Sequence, residues 1–229
     1  MRLNLVGRWI GIAGAGAVAL VLIGVAAWTL ALSWRPTDKY VFQGVDVSEE
    51  QGAVEWWTVK GGGANFAYLR ATSGSAGRDQ RFEKNWADVE KTGMRRGAIH
   101  RYSLCNLAVD QANNFNTTVP KDEGALPAAV ELDFTGDCTA RPEQAVVVDE
   151  LRKFLTMVEA HTGKPVLLRI TSRFDAQYKV TQGIVRPVWA IGNFFPPDYA
   201  ARPWRMWQAS DMRRIDGVDG PVHWDVVRP

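Results

Sequence analysis

From residue 40 onward the apolar residues gather in eight short runs, at 40–47, 65–71, 97–102, 126–134, 165–170, 187–191, 205–208 and 222–227. Short runs rich in β-branched and aromatic residues, bounded by Gly, Pro and Asn, read as strands. Between several of them the spacing turns helical. Residues 142–161 begin at Pro142, place Val148, Leu151, Leu155 and Val158 on one face, and stop at Gly163, which are the start, stripe and stop of an amphipathic helix. A second helix runs through Phe82, Trp86 and Val89 to Gly93. Strands alternating with helices favour a parallel sheet. Eight strands in the 190 residues 40–229 predict an α/β fold, a TIM-like β/α barrel with some helices shortened or missing.

The first part of the chain obeys a different pattern. Residues 9–34 hold no Asp, Glu, Lys or Arg over 26 positions, and a helix of that length exceeds the roughly 30 Å hydrocarbon core of a bilayer. Trp9, Trp28 and Trp34 suit its interfacial ends. Arg2 and Arg8 before it predict a cytoplasmic N-terminus with the rest of the chain exported, although Arg35 and Lys39 lie on the other side. A cleaved signal peptide is the alternative, with small residues at Val25-Ala26-Ala27, but its apolar region is usually shorter. The expected organisation is therefore a stub and membrane anchor at 1–34, a linker at 35–39 and one domain at 40–229. That domain would lie in the periplasm or outside, on a single-pass inner-membrane protein.

Charge narrows the choice of partner. The net charge of +2 is accounted for by Arg2 and Arg8, so the exported part is neutral and offers no general field for nucleic acid. Cys105 and Cys138 fall where a disulfide persists and are expected to pair, two buried thiols being the alternative. They follow neighbouring strands by similar distances, so a bridge would tie two loops at the barrel mouth. No Cys or His spacing supports a metal.

The residues that carry chemistry stand at strand ends, in Gly44-Val45-Asp46-Val47-Ser48 and Ala129-Val130-Glu131-Leu132-Asp133-Phe134. Residues i and i+2 of a strand share a face, so Glu131 and Asp133 are expected to project together. Buried acids are costly unless used or paired. One reading is a catalytic pair with split pKa values; the other is structural pairing with Arg70 or Arg169.

With these residues in view the chain resembles glycoside hydrolase family 25, lysozymes that cleave between N-acetylmuramic acid and N-acetylglucosamine in peptidoglycan. The likeness rests on blocks in order: the Asp46 strand with Gln51-Gly52, Phe66-Ala67-Tyr68-Leu69-Arg70-Ala71-Thr72, then Asp79, Phe82 and Asn85. Next come Gly93, Gly97-Ala98-Ile99-His100, Gln111-Ala112 with Phe115, Leu126-Pro127 leading to Glu131 and Asp133, and Trp207-Gln208. The resemblance implies a flattened barrel with an acidic groove and no cofactor. It makes Asp133 the general acid, with Glu131 and Asp46 stabilising the oxocarbenium-like centre or positioning the substrate.

Three departures bear on activity. The chain reads Glu131-Leu132-Asp133 where the family usually has Asp-x-Glu, Ser73 replaces a common Glu, and His223 stands where an Asp is usual, with Asp225 two residues on. One methylene moves a carboxyl by about 1.5 Å, and a displacement near 1 Å costs on the order of 100-fold in rate. A glycan-binding or scaffold domain of the same fold is therefore the alternative function, with a hydrolase of another glycan, such as chitin, behind it.

Sugar stacking assigns Tyr102, Trp189 and Trp207 to the groove, whereas Trp56, Trp57 and Trp86 read as core or helix packing. His100 reads as a hydrogen-bonded wall residue ahead of a base. Tyr68, Arg70, Gln208 and Asp225 complete the expected substrate-binding set. Partners are then peptidoglycan strands and, through the helix, the membrane.

Overall fold

The computed structural model describes the backbone of residues 3–37, 39–134 and 136–229, and within these the side chains from residue 16 onward. Arg2, Arg8 and Trp9, read above as flanks of the apolar segment, lie outside the described side chains. The chain divides into two compact units that meet between Trp34 and Arg35. The first is helix α1 (Leu3–Ser33). Its stretch Gly16–Ser33 has a mean hydropathy of 2.1, long and apolar enough to cross a membrane.

The second unit runs β1 (Gln43–Val47), α2 (Trp56–Gly61), β2 (Phe66–Ser73), β3 (Gly77–Arg78), α3 (Phe82–Thr92), β4 (Arg95–Arg101), α4 (Ala108–Thr118) and β5 (Ala129–Leu132). It continues through α5 (Gln144–Thr162), β6 (Leu167–Ile170), α6 (Ser172–Tyr178), α7 (Val180–Gly183), β7 (Val188–Ile191), β8 (Met206–Arg214) and β9 (Pro221–Val227). Each of the eight apolar runs holds a strand. The sheet runs β1-β9-β8-β7-β6-β5-β4-β2, and β1 also pairs with β2, closing a barrel of eight strands with β3 appended to β2. The reduced helical layer is as expected: no helix follows β7 or β8.

Among the eight strands of the closed barrel, one departs from the parallel expectation. β9 is antiparallel to both β8 and β1. A parallel return needs a crossover of a dozen or more residues, and only residues 215–220 separate β8 from β9, with Gly217 and Gly220 at φ +89° and +114°. The chain can only turn back on itself.

Helix α5 buries Val148, Leu151, Leu155 and Val158 as the stripe predicted, joined by Val147 and Phe154. Gly163 ends it at φ +71°, a left-handed conformation that costs glycine little. Trp57 corrects the expectation of three packed tryptophans. Consecutive residues of a helix point about 100° apart, so α2 buries Trp56, whose Nε1 donates to Asn85 Oδ1, and leaves Trp57 exposed. Trp86 is buried against Phe82.

Inside the barrel, Phe66, Tyr68, Ile99, Ala129, Leu167, Trp189 and Met206 form an apolar floor. Two glycines make room for its rings. A Cβ on Gly97 would sit 2.3 Å from the Tyr68 ring, and one on Gly44 would sit 2.6 Å from that of Phe66.

Candidate active site

One step of the strand period carries the interior from apolar floor to polar mouth. Two residues beyond Tyr68, Ile99, Ala129, Leu167 and Met206 stand Arg70, Arg101, Glu131, Arg169 and Gln208, on the same inward faces. Two residues beyond Gly44 stands Asp46. Because β9 runs the other way, its first residues rise to the mouth, and His223 pairs with Asp46 across the sheet while Asp225 pairs with Gly44. Seven parallel strands thus end at the face where barrels of this kind carry chemistry.

Arg169 is the hub of this layer. Its buried guanidinium donates from Nη1 to Glu131 Oε2 at 2.9 Å and from Nη2 to Asp46 Oδ2 at 3.3 Å. It also donates to Gln208 Oε1. Its charge centre lies 5.3 Å from the Trp189 ring centroid. Glu131 meets two further arginines, Arg101 Nε at 3.4 Å and Arg70 Nη2 at 3.6 Å. Burial by itself would raise the Glu131 pKa, but the three guanidinium groups outweigh it and hold the carboxyl below its ordinary range. Asp46 follows the same logic, burial being overcome by Arg169 and by His223, whose Nδ1 lies 2.8 Å from Oδ1. Asp225 goes the other way. It is fully buried against Asp46, and burial together with that neighbour's charge raises its pKa well above the usual carboxylate range. Trp189 Nε1 donates to it at 3.0 Å.

Asp133 is not brought into this cluster. Strand β5 ends at Leu132, so the alternation that would have set Asp133 beside Glu131 stops one residue short. Its Oδ1 accepts from Phe134 N at 2.8 Å, Thr171 Oγ1 at 2.9 Å and Arg173 Nε at 2.7 Å, and its Oδ2 from Arg173 Nη2 at 2.9 Å. Burial would raise its pKa, yet Arg173 and the other donors lower it on balance. It is an anion at the rim, with its side chain 27% exposed.

Parity also sorts the expected substrate-binding residues. Arg70 and Gln208 face the mouth. His100, one residue before Arg101, points outward into the helical layer, where its ring lies 4.8 Å from Phe154 and 6.2 Å from Phe115. Thr72 Oγ1 at 2.8 Å and Gln111 Oε1 at 3.2 Å occupy its two ring nitrogens, and burial lowers its pKa to about 4. It is a wall residue on the far side of the sheet from any sugar. Tyr102 shares that face, edge-on to Phe154. Trp207 lies outward beside Tyr40 and Trp204, its Nε1 donating to Gly192 O at 2.6 Å. Tyr68 and Trp189 face inward but are buried in the floor with their rings 4.8 Å apart, and Asp225 lies beneath Asp46. None of these buried rings has a face open for stacking on a pyranose.

The cysteines are joined. The Cys105–Cys138 disulfide links the loops after β4 and β5, with Cα atoms 5.8 Å apart. A cleft of about 310 Å³ lies at this side of the mouth, lined by Ser73, Ser75, Arg101, Tyr102, Asn106 and Asp137. A second cavity, of about 360 Å³, opens at the opposite end of the barrel between Phe42, Phe66, Leu126, Leu167 and Met206. It lies under the apolar floor and no acid lines it, so the chemistry belongs to the mouth. Among the described residues no cluster of His, Cys, Asp and Glu is arranged to hold a metal ion.

Arg101, Arg173 and the His223 contact to Asp46 were not foreseen as parts of the site. In the sequence Arg169 reads only as an ion-pair partner. A charged residue in the otherwise apolar run Leu167-Leu168-Arg169-Ile170 was the available sign, since a strand buried on both faces tolerates an arginine only opposite acids.

Comparison with known proteins agrees with this geometry. A sequence profile of the glycosyl hydrolases family 25 matches residues 45–218. The uncharacterized protein YegX of Escherichia coli K12 is 32% identical over 198 residues, 82% of this chain and 70% of that protein. Lysozyme M1 of Streptomyces globisporus is 28% identical over 200 residues, covering 82% of this chain and 68% of that protein. The structure of a family 25 glycosyl hydrolase from Bacillus anthracis superposes with a TM-score of 0.80 at 30% identity, covering 85% of this chain and 92% of that one.

Proposed function

The chain belongs to glycosyl hydrolase family 25, and on that premise we propose that it is a membrane-anchored muramidase. It would cleave peptidoglycan between N-acetylmuramic acid and N-acetylglucosamine from the outer side of a bacterial inner membrane, with α1 as its anchor. The observation that carries this reading is the pair of anionic carboxylates, Asp46 and Glu131, held at the C-terminal mouth of a closed barrel by Arg169. Fixed negative charge in a site of low dielectric stabilises the positive charge that develops at the anomeric carbon as the glycosidic bond breaks. Asp133, expected as the proton donor, has no proton to give while Arg173 and Thr171 hold it as an anion. In that state it can orient a sugar hydroxyl or a water.

The same saturation of acids by arginines favours the second reading, a domain that binds glycan without cutting it. One experiment separates the two. Purified peptidoglycan is incubated with the detergent-solubilised full chain, and with its Glu131→Gln and Asp133→Asn variants, and the soluble muropeptides are analysed. New reducing ends at N-acetylmuramic acid, lost in Glu131→Gln, are the expected result. Sedimentation with the glycan and no new reducing ends in wild type across the pH range would establish the binding domain instead.

A further inference from the structure

Of the acids Asp46, Glu131, Asp133 and Asp225, none is both reachable and free of an arginine. Asp46 and Glu131 pair with Arg169, Asp133 is saturated by Arg173, and Asp225, whose pKa burial raises, is sealed beneath Asp46. Hydrolysis of a glycoside with a sugar leaving group still needs a proton on the departing oxygen. A second group at the mouth has the geometry to supply it.

We propose that His223 is the proton-transfer residue of this site, held in a dyad by Asp46. This rests on the glycosidase reading above. Nδ1 of His223 lies 2.8 Å from Asp46 Oδ1 and 3.1 Å from Arg169 Nη2. The charged groups at the ring are thus Asp46 from β1 and Arg169 from β6, with Asp225 of β9 behind Asp46. Both nitrogen and oxygen at 2.8 Å cannot present lone pairs to each other. Asp46 is an anion, so the hydrogen of that contact sits on Nδ1. Arg169 Nη2 is a donor already directed at Asp46 and Gln208. The proton that can be exchanged is therefore the one on Nε2, the ring nitrogen away from Asp46. Among the described residues Nε2 has no hydrogen-bond partner, and the side chain is 31% exposed, against 9% for Glu131. An orienting carboxylate that fixes one tautomer and stabilises the imidazolium is a known way to make histidine an acid and base in turn.

The step balances without any co-reactant but water. Nε2–H of the imidazolium passes its proton to the glycosidic oxygen as the C1–O bond breaks and its electron pair stays on that oxygen. The positive charge left on the sugar faces Asp46 and Glu131. Water then adds to C1 from the side the leaving sugar vacated and gives its proton to neutral Nε2.

The test compares leaving groups. The detergent-solubilised full chain and its His223→Gln variant are assayed on peptidoglycan and on a 2,4-dinitrophenyl glycoside of a peptidoglycan oligomer ending in N-acetylmuramic acid, whose leaving group departs without a proton. His223→Gln is expected to lower kcat on peptidoglycan by about 100-fold or more, with KM little changed, and to lower kcat on the dinitrophenyl glycoside by less than about threefold. Equal loss on both substrates, or loss on neither, overturns the assignment. Long-range ¹⁵N–¹H correlation spectra of the full chain give a readout independent of turnover. Neutral His223 is expected as the Nδ1–H tautomer, and finding the proton on Nε2 would refute the dyad. Wild type inert on both substrates, with the Nδ1–H tautomer present, would overturn the glycosidase reading and proton transfer while leaving the dyad geometry standing.

Discussion

Arg169→Met removes the cation that pairs directly with both Asp46 and Glu131. The arginine is 3% exposed and makes ion pairs with both acids, a hydrogen bond with Gln208 and a cation–π contact with Trp189. Methionine fills much of the same volume, so the dominant effect is two buried carboxylates that lose their nearest guanidinium, Glu131 keeping Arg101 and Arg70 and Asp46 keeping His223. Breaking a buried pair in this way costs about 3–5 kcal/mol. In a domain of this size each kcal/mol lowers Tm by about 2–4 °C, so a fall of roughly 10 °C at neutral pH is expected by near-ultraviolet circular dichroism. The pH dependence supplies a sharper check. In wild type the Asp46 and Glu131 pKa values are depressed, so their contribution is complete above the unfolded values and is lost as pH falls through them. Without Arg169 the largest charge opposing burial is gone, so both pKa values move up from their depressed positions. The stability these groups lose on acidification is then smaller in the variant than in wild type. Acidification should therefore destabilise wild type and narrow the gap to the variant. A loss under about 1 kcal/mol, or a gap that is constant with pH, would show that Arg169 does not hold the acids as argued.

Two further predictions concern the scaffold. Gly97→Ala puts a Cβ 2.3 Å from the Tyr68 ring, which should lower stability by about 1–3 kcal/mol in urea unfolding; an unchanged midpoint would mean that the floor of the barrel can shift to accept it. His100 is held neutral, with its pKa lowered by burial from 6.5 to about 4. The unfolded chain takes up that proton first, so wild type should lose roughly 3 kcal/mol as pH falls from the higher value to the lower. His100→Gln should flatten the upper part of that slope, where the carboxylates are still ionised, and an unaltered slope would place the acid sensitivity elsewhere.

The strands and helices were legible because their cause is local. The stripe on α5 and its stop at Gly163 required only the neighbouring residues, and each apolar run at 40–227 marked a strand. Direction was not legible in the same way: an apolar run reads alike in either sense, and β9 turned back because the segment before it was too short to cross over. The site was half legible. Asp46, Glu131, Arg70 and Gln208 share an inward parity with the floor residues below them, and counting by twos along each strand finds them. The same count separates His100 and Tyr102 from Arg101, and Trp207 from Gln208. Grouping those pairs by proximity in sequence placed outward residues in the groove. Asp133 failed for the opposite reason, since alternation was carried past the end of β5.

Tertiary structure alone decided the state of the acids. Arg169 is 123 residues from Asp46 and His223 is 177 from it, and the field each acid feels comes from these distant partners. By itself the sequence determined a family 25 barrel and an acid at the end of its first strand, because backbone pattern and residue order are properties of contiguous chain. Which carboxyl keeps a proton, and which ring can hand one over, depended on barrel closure, which brought Arg169, Asp46, Glu131 and His223 together in one buried layer.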